Sequence, residues 1–476
     1  MTQENLDRLT ALDASFLHQE GAESHMHIGA LTTFDGPPPQ FGELLALIER
    51  RLHLVPRYRQ RLARTPLDRG RPVWVDDAAF RLEYHVRHVA LPAPGGRDQL
   101  LALLSRIFST QLDRRRPLWE LWFVEGLSDA GFAFIFKTHH AVIDGVAGLD
   151  LATVIFDLES ERDAEPQPPP EWTPGPNPGR LGLMTLGAVR DARDSVRLVN
   201  SALSAATHPQ ESARRLREAA EGVAEIAWAA LNPAPETPLN VPIGPYRRFI
   251  TVDARLEDFK TIKNAFGGTV NDVVLAVVAG ALRRFLQSRG VRTEGLELRA
   301  LVPVSLRGAD DGGDVIGNRL AAMRGSLPVY IADPRERLDA VRISMEGIKE
   351  SRQALGAEVL AGVQNFAPPT ILAQASRINF STRLFNLLVT NMPGPQIPLY
   401  VLGRKIREVY PIGFLARNHA LAVAIMSYDG QMNFGLLADS QALPELDQLA
   451  GWVSEAIEEL LALARGGGGE RSATAD

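Results

Sequence analysis

The stretch "FIFKTHHAVIDG" sets His139 and His140 side by side at the end of an apolar run, with Asp144 and Gly145 shortly beyond them. An imidazole, with an ordinary pKa of about 6.5, is well suited to take a proton from an alcohol and return it to a leaving group at neutral pH. Neighbouring residues on a strand point to opposite sides, so His139 and His140 are expected to do different jobs. One faces a cavity; the other faces the packed interior or braces the turn. Three readings compete. A metal site fits poorly, because adjacent histidines converge badly on one ion and no H-E-x-x-H is present. In a structural reading His140 is a hydrogen-bonded core histidine and Asp144 caps a helix. In a chemical reading His140 is a general base. Spacing alone does not separate the last two.

The elements that must hold this group are legible nearby. "GFAFIFKTHH" is apolar on both faces until Lys137 and reads as a buried strand ending at the histidines. The chain then turns, and "DGVAGLDLATVIFDLES" supplies a helix with Asp144 in or near its first turn.

With 476 residues, 45% hydrophobic and 23% charged, the chain is expected to form two or three soluble domains. A net charge of -6 and a pI near 6.0 give no global reason to expect nucleic acid. The absence of cysteine removes disulfides, thiolate metal sites and a cysteine nucleophile together. The N-terminus lacks the basic start and apolar core of a secretion signal, and no apolar run approaches the roughly 20 residues that span a bilayer. A cytoplasmic protein, touching membranes only peripherally, is the expectation. Arg50, Arg51, Arg57, Arg59, Arg61, Arg64, Arg69 and Arg71 crowd one region, and Arg114, Arg115 and Arg116 another. These read as solvated faces paired with local carboxylates, or else as attractors of anionic head groups or a phosphorylated cofactor.

Residues 1–160 mix strand-like runs with short amphipathic helices, such as 41–54, and read as an α/β domain. "ERDAEPQPPPEWTPGPNPGR" is too rich in proline for helix or central strand. With the alanine-rich amphipathic helices of 181–231, it makes 161–240 a linker. A second α/β domain is expected over 241–465, with helices at 270–289, 334–355 and 443–465 and a strand at 296–303. Asp429-Gly430 marks a hairpin. The tail 466–476, "GGGGERSATAD", reads as disordered.

"HHAVIDG" matches the H-H-x-x-x-D-G signature of the chloramphenicol acetyltransferase-like superfamily of acyltransferases and condensation domains. "LTALDASFLHQE", "MHIGALTTFDG", "RPLWELWFVEGL", "NVPIGPYRRF", "TVNDVVLAVVAGALRRFL", "LVPVSLR" and "VTNMPGP", in that order over nearly the whole chain, resemble bacterial wax ester synthase/diacylglycerol acyltransferases. The resemblance implies two chloramphenicol acetyltransferase-like α/β domains with mixed sheets flanked by helices, joined by the linker. It also implies acyl transfer from acyl-CoA to diacylglycerol or a long-chain alcohol, giving triacylglycerol or wax ester. Acyl-CoA would be a co-substrate, with no permanently bound cofactor and no metal. Contact with a membrane or lipid-droplet surface would be peripheral.

Carried over by motif, His140 is the general base, and the attack is direct, without a covalent enzyme intermediate. His139 supports the loop, and Gly145 lets backbone and substrate approach. Asp144 would pair with Arg307 across the two halves; the alternative is an Asp144 that merely caps and an Arg307 in a surface turn. Asn271, Thr390 and Asn391 are candidates for polar groups around the oxyanion. "TVND" equally reads as a helix start, with Thr269 as N-cap and Asp272 closing a capping box. Pro117, Leu118 and Trp119 match a family motif and are assigned to the substrate channel, although such a tryptophan also suits core packing. His25 and His27 fall in a structural segment and are given no metal. Other donors or acceptors within the superfamily, and a catalytically weak lipid-binding relative, are the alternatives.

Overall fold

The structure is a computed structural model that describes residues 7, 9–64, 71–143, 154–160, 171–175, 177–179, 182, 232–305, 320–350 and 380–472. Asp144, Gly145, Arg307 and nearly all of the expected linker helices lie outside the described residues. The first half supplies α1 (Ala11–Gln19), β1 (His27–Phe34), α2 (Phe41–Arg51), β2 (Gln60–Ala63), β3 (Val73–Asp76), α3 (Leu82–His85), β4 (Val86–Ala90), α4 (Arg97–Phe108), β5 (Trp119–Glu125), β6 (Phe132–His139) and the single turn α5 (His140–Ile143). The second supplies β7 (Arg247–Arg255), α6 (Leu256–Phe266), α7 (Val270–Ser288), β8 (Leu298–Ser305), β9 (Leu320–Leu327), α8 (Pro334–Glu350), β10 (Leu387–Pro393), β11 (Tyr400–Val401), β12 (Arg404–Ile412), β13 (Leu421–Tyr428), β14 (Gln431–Asp439) and α9 (Leu446–Ser472).

Twelve of these strands form two mixed six-stranded sheets, ordered β11-β12-β1-β6-β5-β4 and β7-β14-β13-β10-β8-β9, and β2 pairs with β3 in a separate two-stranded sheet. The mixed α/β class read from the sequence is the one observed. β6 is buried along its whole length, as its two-sided apolar run predicts, with Phe132, Phe134 and Phe136 in one hydrophobic cluster and Ala133 and Ile135 in another. The division at residue 240 does not hold for the sheets. β11 and β12 come from the C-terminal half yet complete the N-terminal sheet, β12 pairing antiparallel with β1. Without β12, β1 would offer an open edge of unpaired amides and carbonyls.

A second tie works through side chains. β7 is an edge strand, and its Arg247 and Phe249 amides donate to Ser109 Oγ (2.8 Å) and Ser105 Oγ (3.0 Å), one turn apart on α4. Where the sheets meet, a Cβ on Gly435 would stand 2.1 Å from the Pro411 carbonyl oxygen, so glycine is needed for that approach.

α7 is the central helix of the second half, with Val273–Leu282 lacking any exposed residue. Thr269 caps it in a capping box with Asp272, as "TVND" predicts. No single described helix is long and apolar enough to cross a membrane; α6 and α7 pass that test only as a pair bent by 99°. The Asp429-Gly430 turn has positive φ at both residues (42° and 82°), the geometry of the expected hairpin. α9 corrects the expected tail, continuing through Gly466–Gly469 to Ser472. An established helix adds one hydrogen bond per residue without a new nucleus, which offsets glycine's cost of about 1 kcal/mol.

Three arginines of the first cluster are engaged within the fold, while Arg64 is exposed and Arg69 lies outside the described residues. Arg57 bonds Asp7 (2.8 Å) and lies over Trp74 (4.7 Å), while Arg59 is buried beneath Trp172 (4.9 Å). Arg51 donates to the carbonyls of Val154 (3.1 Å) and Ile155 (2.8 Å). Local pairing, rather than an open basic face, is what these side chains show.

Candidate active site

The main chain of both histidines is held from two sides. β6 places His139 opposite His27 of β1. The His139 amide donates to Leu118 O (3.0 Å) and the His140 amide to Met26 O (2.8 Å). α5 starts at His140, so the chain turns at the pair itself.

His139 is enclosed among charged partners. Its Nδ1 accepts the Ala141 amide (3.0 Å), and its Nε2 faces Glu20 Oε2 at 3.6 Å, longer than a good hydrogen bond. His27 Nε2 lies 3.2 Å from Glu20 Oε1, and Arg114 Nε donates to Oε2 at 2.6 Å. The Glu20 side chain is only 2% exposed. Burial by itself would raise its carboxyl, but the imidazoles of His139 and His27 that face it hold it well below the usual carboxylate range. Beneath them Lys137 is fully buried and donates to Ile107 O (2.7 Å) and Thr110 O, closing the end of α4; burial pushes its ammonium down to about 8.

His140 has a different environment. Its ring stacks on Phe16 (3.9 Å between centroids, 19° between planes) and meets Phe414 edge-on at 5.6 Å. Phe380 packs against both of those rings. Nδ1 is buried without a hydrogen-bond partner among the described residues, although the residue as a whole is partly exposed. Burial first, and His139 second, push the imidazole down to about 4; its own carbonyl opposes this. At neutral pH the ring is an uncharged base in an aromatic recess.

A stability prediction arises here. His85, stacked on Trp119 and 1% exposed, is also pushed down to about 4, chiefly by burial. Below the ordinary histidine pKa the unfolded chain binds protons that folded His85 and His140 refuse. Their stabilisation is therefore present above about pH 6.5 and lost towards pH 4, on the order of 3 kcal/mol for His85. Denaturant midpoints should fall between about pH 7.5 and pH 5. A midpoint unchanged over that range would contradict the buried neutral state.

The other expected residues divide. Asn391 Nδ2 donates to Asn271 Oδ1 at 3.4 Å, joining two of the proposed polar groups, with partly buried Thr390 adjacent on β10. Among the described residues no hydrogen bond links them to the histidines. Asp272 serves α7: its Oδ2 accepts from the Thr269 amide (2.7 Å) and hydroxyl (2.8 Å). Pro117, Leu118 and Trp119, the residues assigned to the substrate channel, are buried. Trp119 donates Nε1–H to Tyr58 O (2.8 Å) and packs between His85 and Tyr58, while the Leu118 carbonyl holds the His139 amide. They position the histidine strand. His25 lies 2.9 Å from Ala22 O through Nε2, and His27 belongs to Glu20.

Sequence reasoning missed Glu20, Phe16, Lys137 and the role of Arg114. Phe16 and Glu20 are four apart on a capped helix, but no spacing connects that helix to residue 139. A cleft of about 180 Å³ lies at the seam between the halves, lined by Arg97, Arg407, Glu408 and Tyr410. Its arginines are already paired, Arg97 with Asp253 and Arg407 with Asp129, and it includes none of the histidine cluster.

Comparisons with known proteins bear on the family and the fold. Residues 9–274 match the wax ester synthase/diacylglycerol acyltransferase catalytic domain, and residues 316–461 match the C-terminal domain of the same family. Among relatives, "Probable diacyglycerol O-acyltransferase tgs1" of Mycobacterium tuberculosis is 35% identical over 465 residues, 97% of each chain. Its paralogue tgs2, described in the same words, is 32% identical over 471 residues, 96% of this chain and 99% of that one. Among solved structures, the wax ester synthase/diacylglycerol acyltransferase of Marinobacter aquaeolei superposes with a TM-score of 0.66 at 29% identity, covering 96% of this chain and 99% of that chain. The first condensation domain of the CDA synthetase shares the fold, with a TM-score of 0.56 at 14% identity, covering 97% of each chain. The chain belongs to the wax ester synthase/diacylglycerol acyltransferase family, whose members transfer acyl groups to diacylglycerol or an alcohol.

Proposed function

We propose that this acyltransferase takes its acyl group from a long-chain acyl-CoA and that His140 is the general base. The observation that carries the reading is the His140 imidazole itself, uncharged at neutral pH and set among Phe16, Phe380 and Phe414. With the proton on the enclosed Nδ1, Nε2 is free to accept. The acceptor O–H bond breaks to Nε2 as the oxygen bonds to the thioester carbon. The tetrahedral oxyanion then collapses, the C–S bond breaks, and the sulfur takes the proton back from the imidazolium. No covalent enzyme intermediate is needed. The amides of Asn271 and Asn391 are the proposed donors to the oxyanion, and apolar walls suit the acyl chain while limiting water at the thioester. Because both acceptors are nearly insoluble in water, we place the reaction at a lipid surface facing the cytoplasm.

The test is release of free CoA from palmitoyl-CoA by the purified chain with hexadecanol, with dipalmitoylglycerol and with neither. Release that requires an acceptor is expected, and the better acceptor identifies the product. Release with no dependence on acceptor would remove the transferase reading for these substrates.

A further inference from the structure

α1 touches both histidines at once. Phe16 stacks on His140, while Glu20, one turn later with its amide donating to Phe16 O (3.1 Å), faces His139. The His139 tautomer follows from geometry. Nδ1 accepts the Ala141 amide, so a proton there would oppose another donor; a neutral ring must carry its proton on Nε2. Among the described residues the buried Nε2 has no partner within hydrogen-bond distance, and the acceptor facing it is Glu20, whose carboxylate is itself held by Arg114. Arg114 also donates to Leu17 O (3.1 Å), anchoring the carboxylate to the end of α1.

We propose that Glu20 is a positioning residue for acyl transfer: its carboxylate, fixed by Arg114, holds His139 in the Nε2–H tautomer and so sets the turn that aims His140. This rests on His140 being the base. An unprotonated Nδ1 is what lets His139 bond the Ala141 amide in α5, the turn that His140 begins.

Glu20→Gln keeps the size and removes the charge. An amide oxygen in the place of Oε2 still meets Arg114 and His139 but is uncharged, and the amide nitrogen replaces Oε1, the acceptor that faces His27 Nε2. The expected result is a fall in kcat of about 10-fold to 100-fold with KM for palmitoyl-CoA within about 2-fold, and partial recovery in Glu20→Asp. In the same variant, ¹⁵N NMR of histidine-labelled protein should show His139 losing its wild-type Nε2–H pattern. That reading does not depend on activity, so it separates this proposal from the assignment of His140. If wild type has no acceptor-dependent turnover but His139 still responds, the base assignment fails and the tautomer control stands. Should Glu20→Gln not fold, Arg114→Ala, whose side chain is 31% exposed, is read by the same two measurements, with about a 10-fold fall in kcat expected. An unchanged tautomer, or an unchanged kcat in an otherwise active enzyme, overturns the proposal.

Discussion

His140→Ala should lower kcat for acceptor-dependent CoA release by about 10²-fold to 10⁴-fold, the range that one positioned acid–base group contributes. The fold should persist, because the substitution removes a ring whose Nδ1 has no hydrogen-bond partner among the described residues and leaves the His140 amide bonded to Met26 O. Wild-type kcat/KM should also have a displaced acid limb. With the free-enzyme imidazole pushed down to about 4, the base form persists well below the ordinary histidine pKa. Activity should therefore hold as pH falls through about 6.5 and decline only near 4, as far as the fold survives. A variant within about 10-fold of wild type, folded by circular dichroism, would remove His140 as the base.

Trp119→Ala is the second large effect, and it is one on stability. The indole is 1% exposed, stacks on His85 at 4.7 Å and donates to Tyr58 O. Truncation should cost about 3–5 kcal/mol, from lost burial, an unfilled cavity and a carbonyl without its donor. Trp119→Phe should restore much of this, since it keeps an aromatic face against His85. A channel-wall residue would behave otherwise, raising KM or changing chain-length preference at near-wild-type stability. Urea midpoints and palmitoyl-CoA KM for both variants distinguish the two. A stable Trp119→Ala with altered KM would return the residue to the substrate path.

The two histidines illustrate how much of the site was readable. Strand alternation predicts different surroundings for them, and these are observed, although β6 ends at His139 and His140 already begins α5. "TVND" specified its own cap through Thr269 and Asp272, because a capping box is a contact between residues three apart. By contrast, "RPLW" left channel wall and core packing both open, and only the tertiary structure placed the indole between His85 and Tyr58. The arginine cluster likewise looked available until Trp74, Trp172 and Asp7 were seen against it.

Local chemistry therefore determined much by sequence alone: the α/β class, the buried strand and its histidines, the hairpin at Asp429-Gly430, and the motifs that place the chain in its family. Each depends on periodicity or on side chains within a turn or strand of one another. Tertiary structure decided what depends on contacts between distant segments. β12 joins the first sheet because β1 has an edge to cover. Glu20 reaches His139, and Phe16 reaches His140, because α1 packs across the end of β6. Such contacts bury charge and ring faces whose partners lie over a hundred residues away, and no short-range pattern records them.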